Sequence, residues 1–317
     1  VYVDDTEIKQ NYYSAAEKAS MAMQRQHNNQ IEQAVLSEVT NAVHTVDAAS
    51  VGGSAGSNIA LTETNATDVF TAADTKLNVY DVPMADRVAV IGAHTLGVLR
   101  RMKALRETQN GDTVLANGVV GPLLGWTLVH NNNLPYTAVL GLATNPTDGD
   151  TITIAGVTYT FKATLGTDPG AIHIASTVDL TRANLAEAIN DPYTNEAEAT
   201  DTGYRALSSE NAFVISEKRN ITATNDNSAD TLTITGFGDI VVSSDLTDGT
   251  DGWASQRQDS LFTHRGAIDL VVQIPTKVEV TRVEKRFGDR INIFIGPQGL
   301  WGFPGVIMGA MGFVDGM

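Results

Sequence analysis

Ser54 stands between Gly52 and Gly56 in a Gly-x-Ser-x-Gly pattern, the spacing with which some hydrolases lift a serine hydroxyl onto a sharp turn. That chemistry needs a buried strand before the serine and a helix after it. Here the run Val51–Ser57 follows a long helical segment, is built of Gly, Ser and Ala, and leads into Asn58-Ile59-Ala60-Leu61, so a flexible loop is expected. The six histidines, His27, His44, His94, His130, His173 and His264, are scattered, and no two share the spacing with which a helix presents metal ligands. The acidic run Asp245-Leu246-Thr247-Asp248-Gly249-Thr250-Asp251 lacks the alternating ligands and terminal Glu of a calcium loop and is expected to be a solvated turn. The absence of cysteine removes disulfides, thiolate metal sites and thiol nucleophiles together. Trp126, Trp253 and Trp301 could anchor contacts with another chain, although core packing accounts equally well for Trp126. The residues therefore predict no catalytic group, no metal site and no cofactor: the chain is expected not to be an enzyme.

The elements that position these residues are of two kinds. From Asp5 to about Val43 there is no Gly or Pro, and Ile8, Tyr12, Ala15, Ala19, Met23, Ile31, Ala34 and Val35 recur at three and four residues, which predicts one long helix with a narrow apolar stripe. Thr67–Leu77 reads as a short helix, Arg87–Gly92 as a strand, Ala93–Leu105 as a helix ending in a basic run, and Leu124–His130 as a strand after the turn Gly118–Gly121. Beyond the middle of the chain, strands are expected at Ala267–Gln273, Val278–Val283 and Arg290–Ile295. A Gly-rich apolar tail, Gly296–Met317, follows, and must be covered by the rest of the fold or by a neighbour.

Between these parts lies a block, Asn145 to Ser255, with a different composition. It holds 17 acidic and 5 basic residues, so it carries most of the chain's net charge of −16 and leaves its flanks nearly neutral. Gly149–Phe161 alternates apolar residues with Thr on either side of Ala155-Gly156, a hairpin pattern, and Asp179–Ile189 reads as a helix stopped by Asn190-Asp191-Pro192. Strands are expected at Ala212–Ile215, Ile221–Thr224 and Thr231–Ile234. The block is predicted to be a small α+β unit inserted into a host formed by residues 1–144 and 256–317, able to fold by itself. The negative balance and the lack of Lys/Arg clusters beyond Arg100-Arg101-Met102-Lys103 argue against a nucleic-acid-binding footprint. No apolar run approaches the ~18 residues of a membrane span.

The order of these parts resembles the major capsid proteins of tailed phages with the HK97-like fold. The residues that carry the likeness are the long helix from Asp5 to Val43, the strand–helix element VPMADRVAVIGAHTLGVL (Val82 to Leu99) and the segment GVVGPLLGWTLVHNNNLP (Gly118 to Pro135). The run from Arg282-Val283-Glu284 into the last strand completes it. The hairpin GDTITIAGVTYTF with DLTRANLAEAIND is similar to a small module of phage structural proteins, placed as the insertion domain of P22-like coat proteins is. The resemblance implies an α+β fold with a spine helix, a mixed axial domain and a peripheral sheet. It implies self-assembly as hexamers and pentamers into the icosahedral shell of a double-stranded DNA phage, in the host bacterial cytoplasm. Scaffolding, portal and decoration proteins are implied partners, and the DNA would be enclosed without sequence-specific binding and without a membrane. That family places an arm and an extended loop before the spine helix, whereas about four residues precede it here, and the chain begins at Val1, so upstream residues are expected to have been removed or left out of this numbering. The competing readings are a tail-tube or decoration protein and a serine hydrolase using Ser54.

Overall fold

A computed structural model describes residues 2–4, 15–42, 44–102, 122–199, 201–247, 251–272, 277–282, 288–294, 298–302 and 307–313; for 2–4, 15–17, 19–20 and 269 onward it describes the backbone alone. The fold is α+β.

Helix α1 (Ala15–Ser37) tightens into a 3-10 turn at Glu38–Asn41, while residues 5–14, where the sequence starts the helix, lie outside the described part. The predicted stripe is not its buried face. Ala34 is exposed, Met23, Ile31 and Val35 are half-covered, and the buried positions are His27, Gln33 and Leu36. At its C-terminal end Leu36 and, in the turn that follows, Val39 join Leu134, Leu261 and Ala267. Further back, the amides of Gln26 and Gln33, two turns apart, donate to the carbonyls of Glu217 (2.8 Å) and Lys218 (3.1 Å).

The host core is built on α2 (Ala66–Val79), whose Ala66, Val69, Phe70, Ala73 and Leu77 follow a helical period and are all buried. Strands β1 (Tyr2–Asp4) and β2 (His44–Val46) precede α2 in the chain, and strand β3 (Arg87–Ile91) and helix α3 (Ala93–Arg101) follow it, with Arg100 and Arg101 at the helix end that favours positive charge. A tight turn with Leu124 and Gly125 at positive φ precedes β4 (Thr127–His130), which runs parallel to β3. Trp126 and Phe70 meet the ring of Phe262 edge-on, each at 5.0 Å.

Strand β5 (Pro135–Gly141) leads into the acidic block. The predicted hairpin is β6 (Thr151–Ile154) and β7 (Val157–Lys162), closed by Ala155 and Gly156 at φ 53° and 81°, the two-residue left-handed turn that matches strand twist. Strand β8 (Ala171–His173) lies parallel to β7, and α4 (Val178–Asn190) starts at Thr177, whose hydroxyl accepts from the Leu180 amide. The strand expected at Ala212–Ile215 is instead helical: α5 (Ser209–Phe213), capped by the Ser208 hydroxyl, runs into a π-helical turn at Val214–Lys218. Four consecutive apolar residues do not distinguish the two conformations, and the capping serine decides it. Strands β9 (Thr222–Asp226), β10 (Thr231–Phe237), β11 (Val242–Asp245) and the thirteen-residue β12 (Gly252–His264) follow. The C-terminal part adds β13 (Ile268–Val272), β14 (Lys277–Arg282), β15 (Gly288–Phe294), β16 (Gln298–Gly302) and β17 (Ile307–Phe313).

An eight-stranded sheet joins block to host, in the order β2-β17-β12-β5-β10-β9, with β3 also on β12 and β4 on β3. On one side β12 pairs first with β5 and then, from Leu261 to His264, with β3; on the other it pairs with β17. The apolar tail is thereby built into the host, β17 between β12 and β2 and β16 against β13. Within the block, β11-β6-β7-β8 form a second sheet. The buried cluster made by the block also includes Tyr136, Ala138, Leu140 and Leu142, from β5 and the residue after it, ahead of Asn145.

Candidate functional site

Ser54 lies exposed in the turn after the 3-10 helix Ala48–Val51, with its carbonyl accepting from the Ser57 amide at 3.3 Å. The strand–turn–helix setting of a nucleophile elbow is not present around it: the loop is closed by Asp47, whose carboxylate accepts from the Gly56 amide at 2.9 Å and from the Ser50 hydroxyl at 3.2 Å. Those bonds, the Gly56 amide foremost, hold the Asp47 carboxyl below its ordinary range. The histidines stay apart. His44 stacks on Tyr80, His27 and His173 are buried, and His130 is exposed. Among the described residues no group of three His, Asp or Glu is arranged to hold a metal ion. Trp126 is wholly buried in the host core, Trp253 packs against the block's core, and the side chain of Trp301 lies outside the described part.

The acidic run does structural work at the neck of the block. Asp251 accepts from the amides of Ala143 (2.9 Å) and Thr144 (3.1 Å) and from the Thr144 hydroxyl (2.7 Å). Asp150 ties the segment entering the block to the segment leaving it, accepting from the Thr147 amide (2.8 Å) and from the Thr247 amide and hydroxyl (3.2 and 2.6 Å). Burial works to raise its pKa, and these bonds outweigh burial and lower it. Arg182, wholly buried on α4, binds the Leu142 carbonyl, Asn225 (3.1 Å), Asp179 and Asp230 (3.2 Å), and so clamps the helix to β5 and to the β9–β10 hairpin. Most other acids of the block, among them Asp148, Asp168, Glu187, Glu210, Asp226 and Asp239, face solvent.

One polar centre went unforeseen from sequence. Along β12, Arg257, Gln258, Asp259 and Ser260 each carry a buried side-chain atom without a hydrogen-bond partner. Asp259 faces a 220 Å³ cavity that also borders Val39, Thr45, Asp47 and Asn58. Arg257 Nε stands 3.0 Å from its carboxylate, close enough to pair in charge but misaligned for a hydrogen bond. Burial pushes the Asp259 carboxyl up to about 6, against the pull of Arg257. The polar run Ser255–Ser260 inside a long strand was the available signal.

Two surface features remain. The end of α2 and the turn after it expose Val79, Tyr80 and Met84, and a groove of 760 Å³ lies between α1 and α5, bordered by Met21, Arg25, Glu32, Phe213 and Lys218. Among the described residues no helix is long and apolar enough to cross a membrane.

No family model matches the chain. No curated protein matches it either. Among solved structures, a chain from Mycobacterium phage Che8 is similar at 15% identity, with 99% of this chain and 68% of that one covered at a TM-score of 0.43.

Proposed function

We propose that this chain is a shell subunit, the major capsid protein of a double-stranded DNA phage with an HK97-like fold, assembling with copies of itself as hexamers and pentamers. In this reading it has no catalytic role and carries residues 145–255 as an inserted module. The observation that carries the proposal is the order and joining of the elements. A long, mostly solvated helix is followed by the α2–β3–α3 unit and β4, then by the module, and the chain returns on β12 to close with β17 in the same sheet. This is the order on which the resemblance rests. A sheet shared by host and module makes a stiff plate, and a shell needs broad shared surfaces more than a cleft. An acidic outer module also repels DNA, so a packaged genome is not trapped on it. A tail-tube or decoration role accounts less well for α1 and for the β3–α3 unit.

Sedimentation velocity of the purified chain, followed by electron microscopy of the fast fraction, tests the proposal. Closed particles are expected. A chain that stays monomeric across the concentration range, with or without phage scaffolding protein, overturns it.

A further inference from the structure

The two surface features left over are complementary. Val79 and Met84 are each 70% exposed and Tyr80 is 51% exposed, yet the loop that bears them is fixed in place. Arg87, buried beneath it, donates to the carbonyls of Val82 and Pro83 and to Asn78 Oδ1, and pairs with Asp74. Val82 N–H returns to the Leu77 carbonyl at 3.0 Å, Arg265 N–H donates to the Asp86 carbonyl at 3.0 Å, and Asp81 and Asp86 hold φ of 55° and 56°. A loop ordered this firmly presents its apolar side chains at little further entropic cost. Its exposed charges, Asp81 and Asp86, are both negative.

The groove between α1 and α5 has the opposite character. Met21 and Phe213 are its apolar side chains, and Arg25 and Lys218 outweigh the single acid, Glu32, to leave it net positive on a chain whose net charge is −16. Its volume of 760 Å³ is enough for several side chains. The loop cannot fill its own groove. Arg87, at the base of the loop, is paired with His264 on β12. Arg219, beside the groove, holds Phe237 opposite Pro135, next to the Tyr136–Gln258 pair. The β12 residues between these levels span about 20 Å at ~3.3 Å each.

We propose that the loop Val79–Asp86 of one copy docks in the α1–α5 groove of a second copy. Asp81 and Asp86 then face Arg25 and Lys218, and Tyr80 and Met84 meet Met21 and Phe213. The two patches differ, so the contact is head-to-tail, the kind that forms a ring when the rotation between copies divides a full turn. It rests on the self-assembly reading and names the surfaces that reading needs.

The chain has no cysteine, so Met84→Cys combined with Met21→Cys can be joined by a short bismaleimide in assembled particles. A ladder of covalent multimers is expected from the double variant, and none from either single variant. Closed particles that yield only monomers overturn the docking and leave the shell reading standing, whereas a wild-type chain that never assembles overturns both. Charge exchange gives an independent readout: Asp81→Arg and Arg25→Asp are each expected to slow assembly by about tenfold, and their combination to restore it. Singles that assemble at the wild-type rate, or a combination slower than both, sink the proposal.

Discussion

Arg182 holds more of the module together than its single charge suggests, because its guanidinium is wholly buried while Asp179 and Asp230 remain half-exposed. Arg182→Ala removes four partnerships and leaves the Leu142 carbonyl without its donor. A loss of about 3 kcal/mol is expected in urea unfolding, and a loss under ~0.5 kcal/mol would show that the clamp is idle. Asp259 predicts a pH dependence of definite sign. Its folded pKa of about 6 lies above the ordinary value near 3.9, so the folded state binds the proton more tightly. The carboxyl therefore adds no penalty below pH ~4, an increasing one between ~4 and 6, and a constant one above. Asp259→Asn should stabilise the protein by about 2 kcal/mol at pH 8 and by almost nothing at pH 4, as read from urea midpoints; an equal gain at both would contradict the burial argument. Ser54→Ala, on an exposed turn, should shift stability by less than ~0.5 kcal/mol.

Strand β9 forms a free edge of the large sheet, and α4 guards it. The side-chain amide of Asn190 donates to the Ala223 carbonyl (2.9 Å) and accepts from its N–H (2.8 Å), making the two bonds a further strand would make. Asn190→Ala should cost about 1–3 kcal/mol and raise aggregation in light scattering; unchanged stability would mean that water replaces the amide freely. The same sheet bears on the module's limits. Strand β5 lies between β10 and β12 and supplies four residues to the module's core when Leu142 is counted, so residues 134–258 should give a dispersed NMR spectrum and residues 145–255 a poorer one. Equal dispersion would show that β5 is dispensable.

The hairpin at Ala155-Gly156 and helix α4 were legible in the sequence, because alternation about an Ala-Gly turn and a helical run stopped by Asn190-Asp191-Pro192 are local signals. The helix at Ser209–Phe213 was not, since its apolar run fits either period. The face of α1 was not either: it is held by Gln26 and Gln33 binding carbonyls remote in sequence, which leaves no periodic trace. The pairing of β17 between β12 and β2 is likewise a long-range event, foreseen only as the need to cover an apolar tail. The exposed turn at Ser54 was legible from the small residues around it.

At the scale of the molecule, charge and stiffness are divided. The block 145–255 carries 17 of the 37 acidic residues and only 5 of the 21 basic ones, and most of its acids face solvent, while the residues of the host are nearly balanced in charge. A continuous sheet joins the two, so the module moves with the host rather than on a tether. Raising salt should therefore speed assembly where module–module repulsion limits it, and slow it where the Asp81–Arg25 contact does; assembly rates of the wild type and of Arg25→Asp across salt separate the two. In the proposed function, copies of this chain close into a shell. Cryo-electron microscopy of the particles formed by the purified chain decides it: closed shells whose subunits sit in rings of six and five are expected, and a solution of single chains or of open, unclosed filaments would overturn the proposal.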